Sequence, residues 1–132
     1  MSQENVEIVR AVYEAVERGD FAGANCLLHP EIEFHTYARS PEAGVYHGRA
    51  AVTRYNEVLF EQFERIRFAI EELVDVGERV VITTTQFAVP KGGETEMSVQ
   101  ICEVWTVREG LLAERHSYST REEAREAAGL SA

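Results

Sequence analysis

The chain has 132 residues, of which 45% are hydrophobic, and this length and composition are typical of one domain spanning residues 1–132. Its 23 acidic and 13 basic residues give a formal net charge of −10, which repels a phosphate backbone or an anionic lipid surface. Neither nucleic acid nor a membrane is therefore an expected partner. Because no apolar run approaches the roughly 20 residues that span a bilayer and no N-terminal run resembles a secretion signal, we expect a cytoplasmic protein.

The N-terminal part of the chain has the periodicity of a helix. Apolar residues recur at three- and four-residue steps opposite a charged face, which predicts an amphipathic helix from Val6 that stops at Gly19. Asp20 can cap a short second helix that carries Leu27 and Leu28. Pro30 prevents that helix from continuing.

One strand and a third helix come next. Apolar and polar residues alternate from Glu31 to Tyr37, as in a strand with one buried face. Proline and glycine within Arg39–Val45 predict an irregular loop. After Gly48, a third helix is indicated by an apolar stripe at helical spacing, formed by Val52, Tyr55, Leu59 and Phe63.

The remaining chain alternates with a period of two. It predicts strands at Ile66–Val74, Val80–Val89, Thr95–Arg108 and Leu111–Ser119. Their short connections make neighbouring strands antiparallel. A final helix begins at a capping box formed by Thr120 and Glu123 and ends at Gly129.

These elements predict the α+β class: a bent antiparallel sheet of about five strands, wrapped around three to four helices, with an internal pocket. Helices segregate to one side of such a sheet. Long twisted strands tend to curl, and the space between sheet and helices can stay open for a ligand. A small organic molecule is therefore the expected ligand.

No metal or cofactor is expected. Cys26 and Cys102 are far apart, and neither has a cysteine or histidine at the spacing of a metal or redox site. His29 and His47 likewise lack a metal-binding partner at useful spacing. The Gly92-Gly93 pair belongs to a hairpin turn and has no following helix that would hold a phosphate.

Six short motifs occur in order along nearly the whole chain. They are Tyr13-Glu14-Ala15, Arg18-Gly19-Asp20-Phe21, His29-Pro30-Glu31-Ile32-Glu33-Phe34, Tyr46-His47-Gly48-Arg49, Val104-Trp105-Thr106-Val107 and Glu122-Glu123-Ala124. This set resembles the SnoaL-like family, in the superfamily of nuclear transport factor two, ketosteroid isomerase, scytalone dehydratase and limonene epoxide hydrolase. The resemblance implies a cone-shaped fold, a pocket for a small hydrophobic organic ligand, and a homodimer through the outer face of the sheet.

Carried over one position at a time, the resemblance to the isomerases implies an altered site. Their general-base aspartate falls on Thr36, which cannot accept a proton near neutral pH. Their oxyanion tyrosine falls on Val12, with Tyr13 one step away on a different helix face. Their oxyanion aspartate falls on Glu103, and a further tyrosine falls on Asn56.

The resemblance to the polyketide cyclases points to the last hairpin. Their essential aspartate, shared with the epoxide hydrolase, falls on Ser117, and their histidine on the preceding strand falls on Glu103. The resemblance therefore implies that a glutamate lies across from a serine. Strand alternation adds Arg115 to the face of Ser117 and turns His116 away from it.

Glu103 and Arg115 are the candidate catalytic residues. Glu103 is a charge within the otherwise apolar stretch Val99–Trp105, where burial is costly. Unpaired, its carboxyl group would favour the protonated form; paired with Arg115 or His116, it would stay ionised and orient a polar ligand. Arg115 can offer several donors to a carboxylate or enolate oxygen. A cross-strand ion pair without chemistry, or a partly exposed glutamate, fits the same pattern.

The other candidates are expected to bind the substrate. They are Tyr13, Phe34, Thr36, Tyr55, Asn56, Trp105 and Ser117. The two helical tyrosines can aim a hydroxyl at a ligand or simply belong to the core. His35 shares a strand face with Glu33 and Tyr37, opposite the predicted core face, which predicts an outer surface or a dimer contact.

Two functions are consistent with these residues. An enzyme without metal or nucleotide would move a proton on a small hydrophobic carbonyl compound, as an isomerase, dehydratase or cyclase does. Glu103 would act as acid or base, and Arg115 and Tyr13 would stabilise the charge on oxygen. A non-catalytic ligand-binding or dimerisation module would only hold the ligand, and the missing carboxylates at positions 36 and 117 favour this alternative slightly.

Overall fold

The structure is a computed structural model and describes residues 2–36 and 44–130. Its elements are α1 Ser2–Glu17, α2 Phe21–Asn25, β1 Leu28–His35, β2 Val45–His47, α3 Arg49–Glu61, β3 Phe63–Val76, β4 Arg79–Pro90, β5 Met97–Arg108, β6 Leu111–Tyr118 and α4 Arg121–Ala127. The strands form one curled sheet in the order β2-β1-β6-β5-β4-β3. The predicted α+β class is confirmed, with six strands in the described ranges instead of about five.

The additional strand is β2, at one edge of the sheet. It pairs with β1, where Tyr46 lies opposite Phe34. Its first residue, Val45, belonged to the predicted loop, because a strand of three residues is too short for alternation to reveal. Residues 37–43, which hold Tyr37 and most of that loop, lie outside the described part of the chain.

Strand β1 starts earlier than predicted and runs parallel to β6. Leu28 was expected in the second helix, but α2 ends at Asn25, and Leu28 is buried and paired with Leu112. Pro30 lies where the pairing with β6 is irregular, so its missing N–H interrupts no regular ladder. Because β1 and β6 are joined through most of the chain and not by a hairpin, their pairing can be parallel. The expectation of a purely antiparallel sheet is wrong at this pair.

The sheet has a hydrophobic core on each face. On one face, α1, α2 and α3 cover the main core, whose fully buried members include Val9, Ile32, Val52 and Ile82. On the opposite face, the last helix covers a smaller core formed by Val81, Cys102, Val104, Ala124 and Ala128. This position of α4 differs from the expectation that the helices share one side. Its small alanines let it lie close against the outward residues of β4 and β5.

Local signals placed most helix ends correctly. Asp20 caps α2 by accepting a 2.8 Å hydrogen bond from a backbone N–H of its first turn, and Gly19 before it has a φ of +76°. The predicted capping box of Thr120 and Glu123 is present at α4. Phe63, expected in the third helix, instead begins β3, because α3 has already ended.

The hairpin between β5 and β6, together with a register shift between Thr106 and Val107, aligns the strands that carry the site. Its loop is Glu109-Gly110, between the paired residues Arg108 and Leu111. Both loop residues have a positive φ, +56° and +76°, which is the backbone of a type I′ turn. Glycine adopts this conformation without steric cost, and the twist of the turn matches that of two antiparallel strands.

Candidate functional site

A pocket of about 360 Å³ lies between α1, α2 and α3 and the sheet face that packs on them. Its volume is within the range of small-molecule sites. All nine residues that the sequence proposed for a site lie in its wall: Tyr13, Phe34, Thr36, Tyr55, Asn56, Glu103, Trp105, Arg115 and Ser117. Their roles remain predictions.

Glu103 is the centre of a buried polar network. Its side chain is 7% exposed, and it faces the pocket beside Trp105 because alternate residues of β5 share one face. The Tyr13 hydroxyl donates to Glu103 Oε1, and Ser117 Oγ donates to Oε2 at 2.7 Å. Ser117 is the cross-strand partner of Glu103. Arg115 Nε lies 3.2 Å from Oε2, so the carboxylate is paired with a cation.

Arg115 is held between this carboxylate and aromatic rings. Its guanidinium carbon lies 3.9 Å from the Phe34 ring centroid and 5.8 Å from that of Tyr55. Burial by itself would lower the pKa of Arg115, but Glu103, Tyr13 and Tyr55 outweigh it, and the pKa stands above its ordinary value. Among buried side-chain nitrogen and oxygen atoms in the described ranges, Arg115 Nε alone lacks an aligned hydrogen-bond acceptor. The pocket wall therefore contains a permanent cation, and its Nε pairs with Glu103 without an aligned hydrogen bond.

Tyr13 completes the network from α1. Burial, and next the Glu103 carboxylate, raises the pKa of Tyr13 well above its ordinary value, so its hydroxyl keeps its proton. That hydroxyl also accepts a 3.1 Å hydrogen bond from Trp105 Nε1. Val12 and Tyr13 both lie in the pocket wall. The expected separation of these two residues is wrong, because adjacent helical residues differ in direction by only about 100°.

The other predicted residues form a wall of aromatic and polar side chains. The rings of Phe34 and Tyr55 meet edge to face at 6.0 Å, and Phe34 meets Trp105 in the same way at 5.6 Å. Thr36 is tied to the backbone of Gly44, since its Oγ1 accepts from the N–H at 2.9 Å and donates to the carbonyl at 3.1 Å. Asn56 reaches the wall from α3. Thr36 therefore fixes the backbone at the pocket.

Sequence reasoning missed the part of the pocket wall that is formed by β3, β4 and the end of α3. Phe68 and Gln86 lie there as cross-strand partners on β3 and β4, and Phe60 comes from α3. Phe60 packs edge to face on Phe21 at 5.4 Å. The alternation of β3 and β4 was a usable signal, because it separates inward from outward residues. The contact between α2 and α3 could not be predicted from local sequence patterns.

Metal-binding side chains do not gather in this pocket. In residues 2–36 and 44–130, the one group of three that could share an ion is His35, Glu114 and His116. These residues alternate along their strands with the pocket residues Phe34, Arg115 and Ser117, so they lie on the other face of the sheet.

Comparison with known families agrees with this architecture. The family model for the SnoaL-like domain matches residues 9–115, which is most of the chain. The chain belongs to the SnoaL-like domain family. The resemblance noted in the sequence is thereby confirmed, whereas a search of curated protein sequences finds no match.

Several solved structures share the fold of this SnoaL-like chain. A nuclear transport factor two-like protein of unknown function from Burkholderia pseudomallei is 22% identical, with a TM-score of 0.77 over 93% of this chain and 95% of that one. A Jannaschia protein assigned to the SnoaL-like polyketide cyclases is 19% identical, with a TM-score of 0.76 over 96% and 92%. A Mycobacterium tuberculosis protein in complex with estradiol-17beta-hemisuccinate is 15% identical, with a TM-score of 0.77 over 90% and 95%. At these identities the likeness concerns the fold.

The helices are short. Across the described residues, none is both long and apolar enough to cross a bilayer.

Proposed function

We propose that this protein binds a small, largely apolar compound carrying a carbonyl or enol oxygen and transfers a proton on it, as an isomerase, dehydratase or cyclase does. The observation that carries the proposal is the buried pair of Glu103 and Arg115 in a pocket whose other walls are mostly apolar and aromatic. A buried ion pair is costly to maintain for stability alone, and perturbed charged groups concentrate at functional sites.

The size and lining of the pocket support the choice of ligand. About 360 Å³ accommodates a compact ring compound, and Phe34, Tyr55 and Trp105 offer faces and edges for it to pack on. The structural neighbour from M. tuberculosis was solved in complex with a steroid ester, which supports the choice of a ligand of this kind. A polar group of the ligand that lies against the apolar part of the wall without a hydrogen-bond partner would be costly to bury.

The proposed chemistry divides between two residues. Glu103 takes a proton from the carbon next to the carbonyl group, and the electron pair of the broken C–H bond moves onto the carbonyl oxygen as an enolate. Arg115, whose guanidinium lies in the pocket wall and has further N–H donors, stabilises that oxygen. Glu103 then returns the proton to a second carbon of the same substrate as the carbonyl group re-forms. In ring closure, the enolate carbon instead bonds to a second carbonyl carbon of the substrate, the π electrons of that C=O bond move onto its oxygen, and Glu103 gives the proton to that oxygen. Tyr13 and Ser117 position the carboxylate as hydrogen-bond donors.

A binding protein without catalysis is the second candidate. The observation that favours it is that both carboxylate oxygens of Glu103 already accept hydrogen bonds, from Tyr13 and Ser117. These bonds occupy the two oxygens that a general base would use to take a proton. In this case the same network would select a ligand oxygen through Arg115 and leave the compound unchanged.

Deuterium exchange separates the two candidates. The protein is incubated in D₂O with a panel of hydrophobic ketones and enones, while ¹H NMR follows loss of the hydrogens next to the carbonyl and thermal shift reports binding. For catalysis, exchange on a bound ketone should fall by at least about 100-fold in Glu103→Gln, because a general base contributes about 10²–10⁴-fold. Glu96→Gln is the matched control, since Glu96 pairs with Arg67 on the surface.

The outcomes are distinct. A thermal shift that depends on Arg115 without exchange in the wild-type protein would replace catalysis by the binding function. Exchange that persists unchanged in Glu103→Gln would remove Glu103 from the chemistry. If no compound of the panel shifts the melting temperature or exchanges, the proposed ligand class is wrong.

We also infer a homodimer through the outer face of the sheet. α4 covers the outward residues of β4 and β5, whereas His35 and His116 on β1 and β6 remain half-exposed. A sheet face that no helix covers often forms the interface of a symmetric dimer. Multi-angle light scattering at micromolar concentration should give twice the mass of the chain, and a monomer would contradict the inference.

A further inference from the structure

Four side chains form a square on the outer face of β1 and β6. The parallel register places Glu33 beside Glu114 and His35 beside His116. His35 Nε2 lies 3.0 Å from Glu33 Oε1, and His116 Nε2 lies 3.0 Å from Glu114 Oε1. The two imidazole rings are stacked, with centroids 4.0 Å apart and an angle of 9° between their planes. Two imidazoles and two carboxylates thus meet in one patch.

The donor atoms in this patch converge closely enough for one ion. One nitrogen from each histidine and one oxygen of Glu114 all lie within 4.8 Å of one another. In a tetrahedral zinc site the ligand atoms stand about 2.0–2.2 Å from the ion, which puts neighbouring ligands about 3.3 Å apart. The two histidine–glutamate distances already approach this value, so side-chain rotation alone can close the remaining gap.

We propose that His35, His116 and Glu114 bind a divalent transition-metal ion of the zinc class. Imidazole nitrogen favours zinc, copper, nickel and cobalt, whereas magnesium and calcium prefer sites made of oxygen only. Glu33, which faces the same patch, supplies a fourth ligand or holds a metal-bound water. The sequence did not indicate this site, because His35 and His116 meet only through the long-range parallel pairing of β1 and β6.

Metal binding opens the histidine stack. The lone pair of an imidazole nitrogen lies in the plane of the ring, so two parallel rings cannot both aim at one ion between them. Rotation of each ring about its χ2 angle makes the lone pairs converge. In the single chain, the exposed fractions of the His35 and His116 side chains, 31% and 36%, leave solvent space for this rotation.

The site is separate from the proposed chemistry. The neighbours of His116 in β6, Arg115 and Ser117, point to the pocket on the opposite face of the sheet. An ion at the outer face would therefore link β1 to β6 without touching the pocket ligand. Its direct consequence is stabilisation of the parallel strand pair.

Calorimetric titration of the tag-free, metal-stripped protein with ZnCl₂ tests the proposal. We expect one ion per chain. Its affinity should fall by more than about tenfold in His35→Ala, His116→Ala and Glu114→Gln, since even outer partners of metal ligands contribute about 10- to 100-fold. His47→Ala is the matched control, because His47 also pairs with a glutamate, Glu31, at 3.1 Å on the surface. The control should bind as the wild type does.

Spectroscopy of the wild-type protein tests the site even where a variant folds poorly. Cobalt(II) added to the wild-type protein should give the intense visible bands of a four-coordinate site, and zinc should displace them. ¹H-¹⁵N spectra should show the His35 and His116 ring signals shifting together as zinc is added. Absence of zinc binding below millimolar concentration, or an equal loss in His47→Ala, would overturn the proposal. The pocket assay is unaffected by either result.

Discussion

The two faces of β6 carry neighbouring residues in very different surroundings. Arg115 points inward, where its side chain is 11% exposed and pairs with a carboxylate that is 7% exposed. Its neighbours Glu114 and His116 point outward, where 38% and 36% of their side chains are exposed. The inner pair has lost most of its hydration and depends on its protein partners, whereas the outer pair remains hydrated. Breaking the inner pair should therefore lower the free energy of unfolding several-fold more than breaking the outer pair.

Arg115→Ala should give the largest effect. It leaves the Glu103 carboxylate buried without its cation, and breaking a buried pair costs about 3–5 kcal/mol of unfolding free energy. Urea denaturation followed by circular dichroism measures the loss.

The double variant Glu103→Gln/Arg115→Met tests whether the unpaired charge of Glu103 causes this loss. It removes both charges, so it should recover much of the stability lost in Arg115→Ala. A double variant as unstable as the single one would show that packing of Arg115 on Phe34, and not the charge, determines the effect.

Tyr13→Phe should have an intermediate effect. It keeps the ring packing on Phe68 and Trp105 but removes the hydroxyl that bridges Trp105 Nε1 and the carboxylate. Loss of a partner from a buried polar group costs about 1–3 kcal/mol. Denaturation near neutral pH measures this cost, and an unchanged midpoint would contradict the bridging role.

The same variant should change the alkaline limit of stability. Burial and Glu103 raise the pKa of Tyr13 above its ordinary value of 10.0. Above about pH 10 the unfolded chain therefore binds fewer protons than the folded one, and stability falls with rising pH by up to about 1.4 kcal/mol per unit for this group. Below that pH the contribution is complete. Tyr13→Phe should reduce the slope, and Tyr118→Phe, at a residue that is only partly buried, should reduce it less.

Glu114→Gln should give the smallest effect in metal-free protein. Its pair with His116 is half-exposed, and such pairs contribute about 0–1 kcal/mol. Denaturation at low and high salt should show little change. A loss as large as that of Arg115→Ala would mean that the two faces do not differ in the way described.

Short-range patterns account for the part of the site that could be read in advance. Alternation alone sets Arg115 and Ser117 on one face of β6. The two-residue loop with regular pairing would place Glu103 opposite His116, and the register shift between Thr106 and Val107, which no local pattern revealed, moves its partner to Ser117. Helical spacing gave the inward side of α1, although not the fact that Tyr13 itself reaches the carboxylate.

Long-range pairing accounts for what the sequence could not reveal. The adjacency of His35 and His116 needs β1 to pair in parallel with a strand near the other end of the chain. The short edge strand β2 and the outward position of α4 also depend on tertiary packing, which local propensity does not encode. The resemblance supplied the fold, but it aligned the oxyanion tyrosine with Val12.

The type I′ turn at Glu109-Gly110 has a consequence for how such a chain can change over evolutionary time. The turn, together with the register shift between Thr106 and Val107, holds a pairing in which Arg115 and Ser117 face the pocket. An insertion of one residue that no bulge absorbs would exchange the two faces, sending His116 inward and Arg115 into solvent. We therefore expect descendants of this chain to vary the identity of the loop residues more freely than their number.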